Sequence, residues 1–332
     1  MPKNWLCNKQ LAIAVGSGGA LCYKPGMLLR HLKYLVTLSQ EAHFGRAADA
    51  CNVTQSTLSA AIRQLEIEIG APLIERDKRF KGFTAEGRVL LDWAKRVVSE
   101  RDALDQQIGM LRGELTGELS IGVIPTALPT IGLFTTPLSR VHPKVTLKIL
   151  SQTSNEIQRA LDDFRLDVGV TYLDNEPMHG VDAHPLYTEN YILLTPAHGP
   201  FRGRDDVTWR EAADTPLCLL TPDMQNRRII NSIFQSVDRV PNAHIETNSV
   251  MTLCSHIKTG VWSSVLPNNF LWVFGVPPGM IALPLVDPVV THMIGVVVRR
   301  QQPHSPLVEA FLAAVHEGGG AEQIRQWDQR VG

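Results

Sequence analysis

The sequence predicts an α+β multidomain fold with a small helical N-terminal domain, one long linker helix and a larger two-lobed α/β domain. Three observations support this prediction. Residues 28–66 place apolar side chains at helical spacing, and residues 84–112 read as one uninterrupted helix. From residue 119 onward, strand and helix patterns alternate, which favours a parallel sheet covered on both faces. A length of 332 residues is sufficient for two domains.

Residues 1–26 match none of these patterns. Their apolar run at 11–15 is too short for a secretory signal peptide and has no clear cleavage site. Gly16 and Gly18 begin the glycine pattern of a dinucleotide-binding loop, but Leu21 stands where the third glycine is needed. We therefore expect residues 1–26 to be a disordered extension or a misassigned start, with Met27 as the natural first residue.

The second and third predicted helices form a helix-turn-helix. Small side chains at positions 47, 48 and 50 allow close packing, and residues 51–53 make a tight turn before the helix cap Thr54. The helix that follows has an apolar stripe formed by Leu58, Ile62, Leu65 and Ile69. Its opposite side is small and polar, with Ser56, Ser59 and Arg63. This geometry suits the major groove of DNA, although a helical hairpin within a core would show the same pattern.

A basic hairpin at residues 73–88 favours the DNA-binding interpretation. Its cations outnumber the single local aspartate, Asp77, and could hold backbone phosphates beside the groove. These cations are Arg76, Lys78, Arg79 and Lys81.

Residues 32–87 resemble the winged helix-turn-helix of the LysR-type transcriptional regulators. The matching motifs are Leu32-x-x-Leu35, His43-Phe44-x-x-Ala47-Ala48, Val53-Thr54-Gln55-Ser56-x-Leu58-Ser59-x-x-Ile62-x-x-Leu65-Glu66, Gly70-x-x-Leu73-Ile74-x-Arg76 and Phe83-Thr84-x-x-Gly87. This ordered set is far more specific than a single helix-turn-helix. The resemblance implies a sequence-specific DNA-binding transcriptional regulator, with double-stranded promoter DNA and RNA polymerase as partners.

The predicted DNA-binding residues divide into two groups. One group is expected to meet base edges, where a glutamine can bond adenine through two hydrogen bonds. Its members are Gln55, Ser56, Ser59 and Arg63. The other group is expected to hold phosphates or to cap the helices that approach them, and consists of Arg46, Thr54, Arg76, Lys78, Arg79 and Thr84. The family usually has serine or threonine near Arg46, so this residue departs from the pattern.

The long helix is predicted to pair with the same helix of a second chain. Leu90, Val97, Leu104 and Leu111 are spaced seven residues apart, and Ile108 lies in the complementary seam. At ~1.5 Å per residue the helix would extend about 40 Å, although it could instead pack on its own chain. A dimer would read two DNA half-sites, and the family resemblance implies a tetramer.

The domain boundaries follow from these patterns. Residues 27–88 form the winged domain, 84–116 the linker helix and its glycine hinge, and 317–332 a C-terminal tail. Residues 117–316 form an effector domain that resembles periplasmic binding proteins and the effector domain of the LysR family. Lobe I takes about 117–188 and 292–316, and lobe II takes about 189–291.

The cleft between the lobes is the expected effector site, because ligands of open α/β sheets bind beyond the carboxyl ends of strands. Hydroxyl and amide side chains follow those ends, and helix starts nearby attract anions. Each such serine or threonine could by itself be only a helix cap. The predicted effector-binding residues are Thr126, Thr153, Ser154, Thr171, Met224, Asn226, Arg227 and Asn248. We predict a small organic anion, a carboxylate, and residues 219–228 resemble regulators linked to formate metabolism.

Composition and missing motifs argue against other classes of protein. The net charge is −1, so affinity for nucleic acid must be local. The five cysteines form no C-x-x-C pair and no zinc-ligand spacing, so we expect no metal site. Their pattern favours a reducing cytoplasm, where the regulator would be associated with the nucleoid. No apolar run reaches the ~18 residues of a membrane span. No nucleotide-binding, serine-hydrolase or zinc-protease motif is present, so we expect neither a catalytic residue nor a cofactor. The alternatives are an enzyme, which these missing motifs disfavour, and a secreted solute-binding protein, which would need a signal peptide and would have no use for a basic hairpin.

Overall fold

The computed structural model describes residues 27–76 and 80–331. These residues form two compact units that meet in sequence between Leu91 and Asp92. The predicted N-terminal extension, residues 1–26, lies outside the described residues.

The first unit is a three-helix domain with a two-stranded antiparallel hairpin. Its elements are α1 (Leu29–Glu41), α2 (Phe44–Ala50), α3 (Gln55–Ile69), β1 (Ile74–Arg76), β2 (Phe80–Phe83) and the start of α4 (Ala85–Leu111). Helices α1, α2 and α3 pack on one another. The predicted winged helix-turn-helix is therefore confirmed, with α3 as its second helix and the hairpin as its wing.

Helix α3 buries the apolar stripe that its sequence predicts, with one exception. Leu58, Ile62 and Leu65 are almost fully buried, but Ile69 is exposed. Ile69 is the last residue of the helix, and Gly70 ends it in the left-handed conformation at φ 78°. A left-handed residue at this position suits glycine, because a side chain there would strain the backbone.

Within the described residues, the second unit contains ten strands. They are β3 (Gly117–Val123), β4 (Val145–Ser151), β5 (Val168–Tyr172), β6 (Val181–Pro196), β7 (Val207–Thr208), β8 (Leu217–Leu220), β9 (Ala243–Thr247), β10 (Ser264–Pro267), β11 (Met280–Val286) and β12 (Thr291–Arg299). Strands β4, β3 and β5 run parallel, as the alternating pattern predicts. The sheet continues through β12, β6, β11 and β7, and β8 pairs with β9 separately.

Eight helices belong wholly to the second unit. They are α5 (Ile131–Val141), α6 (Ser154–Asp162), α7 (Trp209–Ala213), α8 (Gln225–Ser236), α9 (Val250–Ile257), α10 (Leu271–Phe274), α11 (Pro306–Glu317) and α12 (Gly320–Val331). Two short 3-10 turns, Leu128–Thr130 and Asn268–Phe270, precede α5 and α10. Most of the segment predicted as a C-terminal tail, residues 317–332, is helix α12. Ile324 anchors this helix in the core.

Strand β6 divides the unit into its two lobes. Its first part, Val181–Asn190, pairs with β12, and its second part, Tyr191–Pro196, pairs with β10 and β11. The lobe boundary predicted at residue 189 therefore falls inside a single continuous strand. None of the helices among residues 27–76 and 80–331 combines the length and apolarity needed to cross a bilayer.

Candidate functional sites

The outer side of α3 carries the residues predicted to meet base edges. Gln55, Ser56 and Arg63 are exposed, and Ser59 is half-buried. Thr54 caps the helix, since its hydroxyl accepts a hydrogen bond from the Thr57 amide at 3.2 Å. The Thr54 and Ser56 hydroxyls lie 2.8 Å apart. This side of α3 therefore presents short polar groups to solvent, with its apolar side held in the core.

The residues predicted to hold phosphates have different surroundings. The Arg46 guanidinium contacts the Glu41 carboxylate at 3.2 Å and also donates to the Glu41 carbonyl. Thr84 connects the start of α4 to the segment before β1. Its hydroxyl donates to the Pro72 carbonyl at 2.7 Å and accepts from the Gly87 amide at 2.9 Å. Lys78 and Arg79 lie outside the described residues, as does the side chain of Arg76.

A cavity of about 430 Å³ lies between the two lobes. Its walls are mainly apolar and come from both lobes, with Pro125, Leu128 and Pro129 on one side and Val250, Met251, Phe270 and Val273 on the other. Three polar residues complete the lining: Ser151, Asn248 and Ser249. Ser249 also caps α9, accepting from the Thr252 amide. A ligand here would meet an apolar surface with polar groups at one helix start.

A buried polar network connects the lobes where β6 crosses between them. The Tyr172 hydroxyl donates to the Glu189 carboxyl group and accepts from the Asn226 side-chain amide at 2.9 Å. The Asn269 amide donates to the Thr126 carbonyl at 3.2 Å and to the Tyr187 hydroxyl at 3.0 Å. Lobe I contributes the tyrosines and Thr126, while lobe II contributes the two asparagines, so this network depends on how the lobes sit together.

Glu189 is completely buried in this network. No cation among the described residues is hydrogen-bonded to it, and burial raises the pKa of its carboxyl group to about 8. Burial also raises the pKa values of Tyr172 and Tyr191, with the nearby Glu189 adding to the effect. Glu189 is consequently mostly protonated at neutral pH and serves as a neutral hydrogen-bonding group.

The structure separates the eight predicted effector-binding residues. Asn248 lines the cavity. Thr126 and Asn226 belong to the buried network, and the Thr171 hydroxyl lies 3.4 Å from the Gln225 side-chain oxygen. Thr153 caps α6 through a reciprocal pair of hydrogen bonds with Glu156, next to the buried Ser154. The buried polar atoms Ser154 Oγ, Gln225 Nε2 and Asn226 Oδ1 have no hydrogen-bond partner among the described residues.

Two of the eight predictions do not fit this arrangement. Met224 packs into the apolar core of lobe II, beside Leu220 and Leu253. The Arg227 guanidinium pairs with Glu246 at 2.9 Å and donates to the Leu220 carbonyl at 2.7 Å, so its charge is compensated inside lobe II. An arginine at a strand end predicts an anion site only if its charge faces the cleft. Sequence alone could not distinguish that orientation from an internal ion pair.

The predicted pairing seam on α4 is largely exposed in the single chain. Leu90 is half-buried, and the side chains of Val97, Leu104, Ile108 and Leu111 are between 40% and 86% exposed. Several large apolar residues exposed along one helix are unusual unless another surface covers them.

Comparison with known proteins gives one consistent result. Residues 29–88 match the family described as bacterial regulatory helix-turn-helix protein, lysR family, and residues 112–320 match the LysR substrate binding domain. The DNA-binding transcriptional dual regulator OxyR of Escherichia coli is 31% identical over 287 residues, covering 85% of this chain and 91% of the relative. A hydrogen peroxide-inducible genes activator of Haemophilus influenzae is 29% identical over 292 residues, covering 88% and 97%.

A solved structure agrees with this assignment across both units. A full-length OxyR variant from Pseudomonas aeruginosa superposes with a TM-score of 0.71 at 27% identity, covering 88% of this chain and 96% of that chain. These relatives are named as transcriptional regulators and not as enzymes, as the sequence predicts. The chain is a member of the LysR family of DNA-binding transcriptional regulators, with an N-terminal helix-turn-helix domain and a C-terminal substrate-binding domain.

Proposed function

We propose that this regulator reads operator DNA with the polar side of α3 and changes its oligomer geometry when a small organic acid enters the cavity between the lobes. The proposal rests on the presence, in one chain, of a recognition helix with an exposed polar side and a cavity lined by both lobes. A ligand that contacts both lobes can favour one arrangement of them over another. The regulator would act in the cytoplasm, on promoter DNA and RNA polymerase.

The DNA-binding part of the proposal is supported by the chemistry of α3. Gln55 is the first residue of the helix and is exposed, and a glutamine amide can form two hydrogen bonds with adenine in the major groove. Ser56 and Arg63 lie along the same side and extend that surface. We assign base contacts to Gln55, Ser56, Ser59 and Arg63, and phosphate contacts to the wing that includes Arg76, Lys78 and Arg79.

We expect Gln55→Ala to lose sequence preference more than overall affinity. One bidentate base contact contributes ~1–3 kcal/mol of discrimination, whereas non-specific binding comes from phosphate contacts. The measurement is the ratio of dissociation constants for an operator duplex and a scrambled duplex at fixed salt. Gln64→Ala is the matched control, because Gln64 is an exposed glutamine of α3 whose amide donates to Glu68 at 2.9 Å. Equal weakening of both duplexes by Gln55→Ala would contradict a base-reading role.

The ligand class follows from the cavity lining. Seven of the ten lining residues are apolar, so the cavity favours a molecule with an apolar body. Asn248, Ser249 and the positive end of the α9 dipole suit a carboxylate head group. Formate has no apolar body, so the lining gives no support to the weak formate resemblance of residues 219–228. We therefore propose an organic acid of several carbons.

We expect affinity to rise along the series formate, acetate, butanoate and hexanoate. Each buried methylene contributes about 0.8 kcal/mol, which lowers the dissociation constant about fourfold until the cavity is filled. Calorimetric titration of the full chain measures the series. Asn248→Ala should weaken all of the acids, and Asn242→Ala is the control, because Asn242 is exposed and does not line the cavity. A flat series, or tightest binding of formate, would exclude this ligand class.

Self-association is supported by the exposed seam of α4. We propose that Leu90, Val97, Leu104, Ile108 and Leu111 pair with the same residues of a second chain, and that such dimers assemble into tetramers. A dimer would place two winged domains on two half-sites, whose spacing is then fixed by protein geometry.

Peroxide sensing is a second candidate, suggested by the names of the relatives. A thiol that reacts with peroxide is usually exposed and has a lowered pKa. Cys218 is buried and Cys254 is partly buried, and burial raises their thiol pKa values to about 12 and about 11. The surroundings of these two cysteines therefore disfavour a thiol-based response, and we retain the organic acid as the proposed effector.

A further inference from the structure

The C-terminal helix α12 contacts both lobes beside the cavity. Its first residue, Gly320, lies against α5, where an added Cβ atom would be 3.0 Å from the Leu133 carbonyl and 3.1 Å from the Phe134 ring. Ile324 is buried in the core that includes lobe I. Trp327 packs against the apolar core of lobe II. One short helix thus joins the lobes at a second place, separate from strand β6.

Trp327 contacts the element that forms one wall of the cavity. Its ring meets the ring of Trp272 edge to face, with the centroids 6.0 Å apart and the planes at 84°. Trp272 belongs to α10, and the adjacent Val273 lines the cavity. Phe270, which ends the turn before α10, also lines the cavity. Trp272 therefore lies in sequence between the two wall residues.

The same turn is tied to the buried network. Asn269 lies between Asn268 and Phe270 and donates hydrogen bonds to Thr126 and Tyr187 of lobe I. The turn Asn268–Phe270 also packs against α12. Three features consequently meet at this turn: the cavity wall, the network between the lobes, and the C-terminal helix. The match to the LysR substrate binding domain ends at residue 320, where α12 begins.

We propose that Trp327 is a positioning residue that holds α10 in place and thereby sets the shape and affinity of the cavity. It acts through Trp272 and does not itself line the cavity. An edge-to-face pair of aromatic rings contributes enough to change an equilibrium about threefold to tenfold. Loss of the Trp327 ring should therefore release α10 without unfolding either lobe. The part of this proposal that concerns affinity rests on the organic-acid function proposed above.

The first test needs no ligand. Amide hydrogen exchange of the full chain should be about threefold to tenfold faster at residues 268–274 in Trp327→Ala, and unchanged at β8 and β9 of the same lobe. Trp327→Phe keeps an aromatic ring and should restore most of the protection. Arg325→Ala is the control, because Arg325 is exposed on the same helix and its guanidinium pairs with Glu322 of α12. Unchanged exchange at 268–274 in Trp327→Ala would overturn the proposal.

The second test uses hexanoate as the probe. Its dissociation constant should rise about threefold to tenfold in Trp327→Ala and stay at the wild-type value in Arg325→Ala, while operator affinity without hexanoate is the same in all three proteins. Equal hexanoate affinity in Trp327→Ala and wild type would contradict the positioning role. If hexanoate does not bind the wild type, the proposed ligand class fails, and the exchange measurement still decides the role of α12.

Discussion

Gly87→Ala is expected to destabilise the DNA-binding domain by about 3 kcal/mol, the upper range for inserting an atom into a packed core. Gly87 lies in the first turn of α4, and a Cβ atom there would be 2.0 Å from the Leu73 carbonyl oxygen and 2.9 Å from its carbon. Both atoms belong to the backbone, so no side-chain rotation can make room. Alanine by itself would favour a helix by about 1 kcal/mol, which is smaller than the steric cost.

The measurement combines urea unfolding of the full chain with binding of an operator duplex. A domain with a stability of about 5–15 kcal/mol would lose a large fraction of it but would stay mostly folded without urea, so operator affinity should change little. Gly132→Ala is the matched control, because Gly132 lies in α5 with open space around its Cα atom. That variant should be neutral or slightly more stable. Wild-type stability in Gly87→Ala would show that α4 can move away from Leu73.

The second expected result concerns Glu189 and pH. The folded-state pKa of Glu189 is raised to about 8 from 4.5, so the folded protein binds more protons than the unfolded chain between these values. Stability from the protonated carboxyl group is therefore fully present below pH 4.5 and is lost as the pH rises toward 8. In this window the unfolding free energy of the wild type should fall, relative to Glu189→Gln, by about 1 kcal/mol per pH unit.

Urea unfolding of the wild type and Glu189→Gln at several pH values between 5 and 8 tests this expectation, because titrations common to both proteins cancel in the difference. Glu211→Gln provides the contrast, because its difference from the wild type should stay constant over this pH range. Hydrogen bonds from Arg204 and Thr208 lower the pKa of Glu211 to about 2, so its contribution is present above 4.5 and is lost only as the pH falls toward 2. A difference between wild type and Glu189→Gln that is independent of pH would mean that Glu189 is charged in the folded protein.

Much of the fold could be predicted because its determinants are local. The apolar stripe of α3, the cap Thr54 and the turn at 51–53 lie within one short stretch, and the structure has them as expected except for the exposed Ile69. The motif Phe83-Thr84-x-x-Gly87 also has a local physical explanation. Thr84 bonds the Pro72 carbonyl and the Gly87 amide, and Gly87 leaves space for the Leu73 backbone.

The effector cleft could be predicted only in part, because its geometry depends on contacts distant in sequence. Thr126 and Asn226 lie in the network that joins the lobes, but Glu189 and Asn269 carried no motif that would single them out. Arg227 looked like a cation for an anionic ligand, yet Glu246 neutralises it from the neighbouring strand. Trp272 and Trp327 are in contact although they are 55 positions apart, so a local sequence pattern could not predict their pairing.

The continuity of β6 restricts how the lobes can move. Two lobes joined only by loops could rotate through a large angle relative to each other. Here β6 runs through both lobes, because it is hydrogen-bonded to β12 in one lobe and to β10 and β11 in the other. Any opening must twist β6 around Tyr191, where its pairing passes from β12 to β10 and β11. A bound effector would then act by changing the twist of β6, and any larger rearrangement would have to arise between subunits.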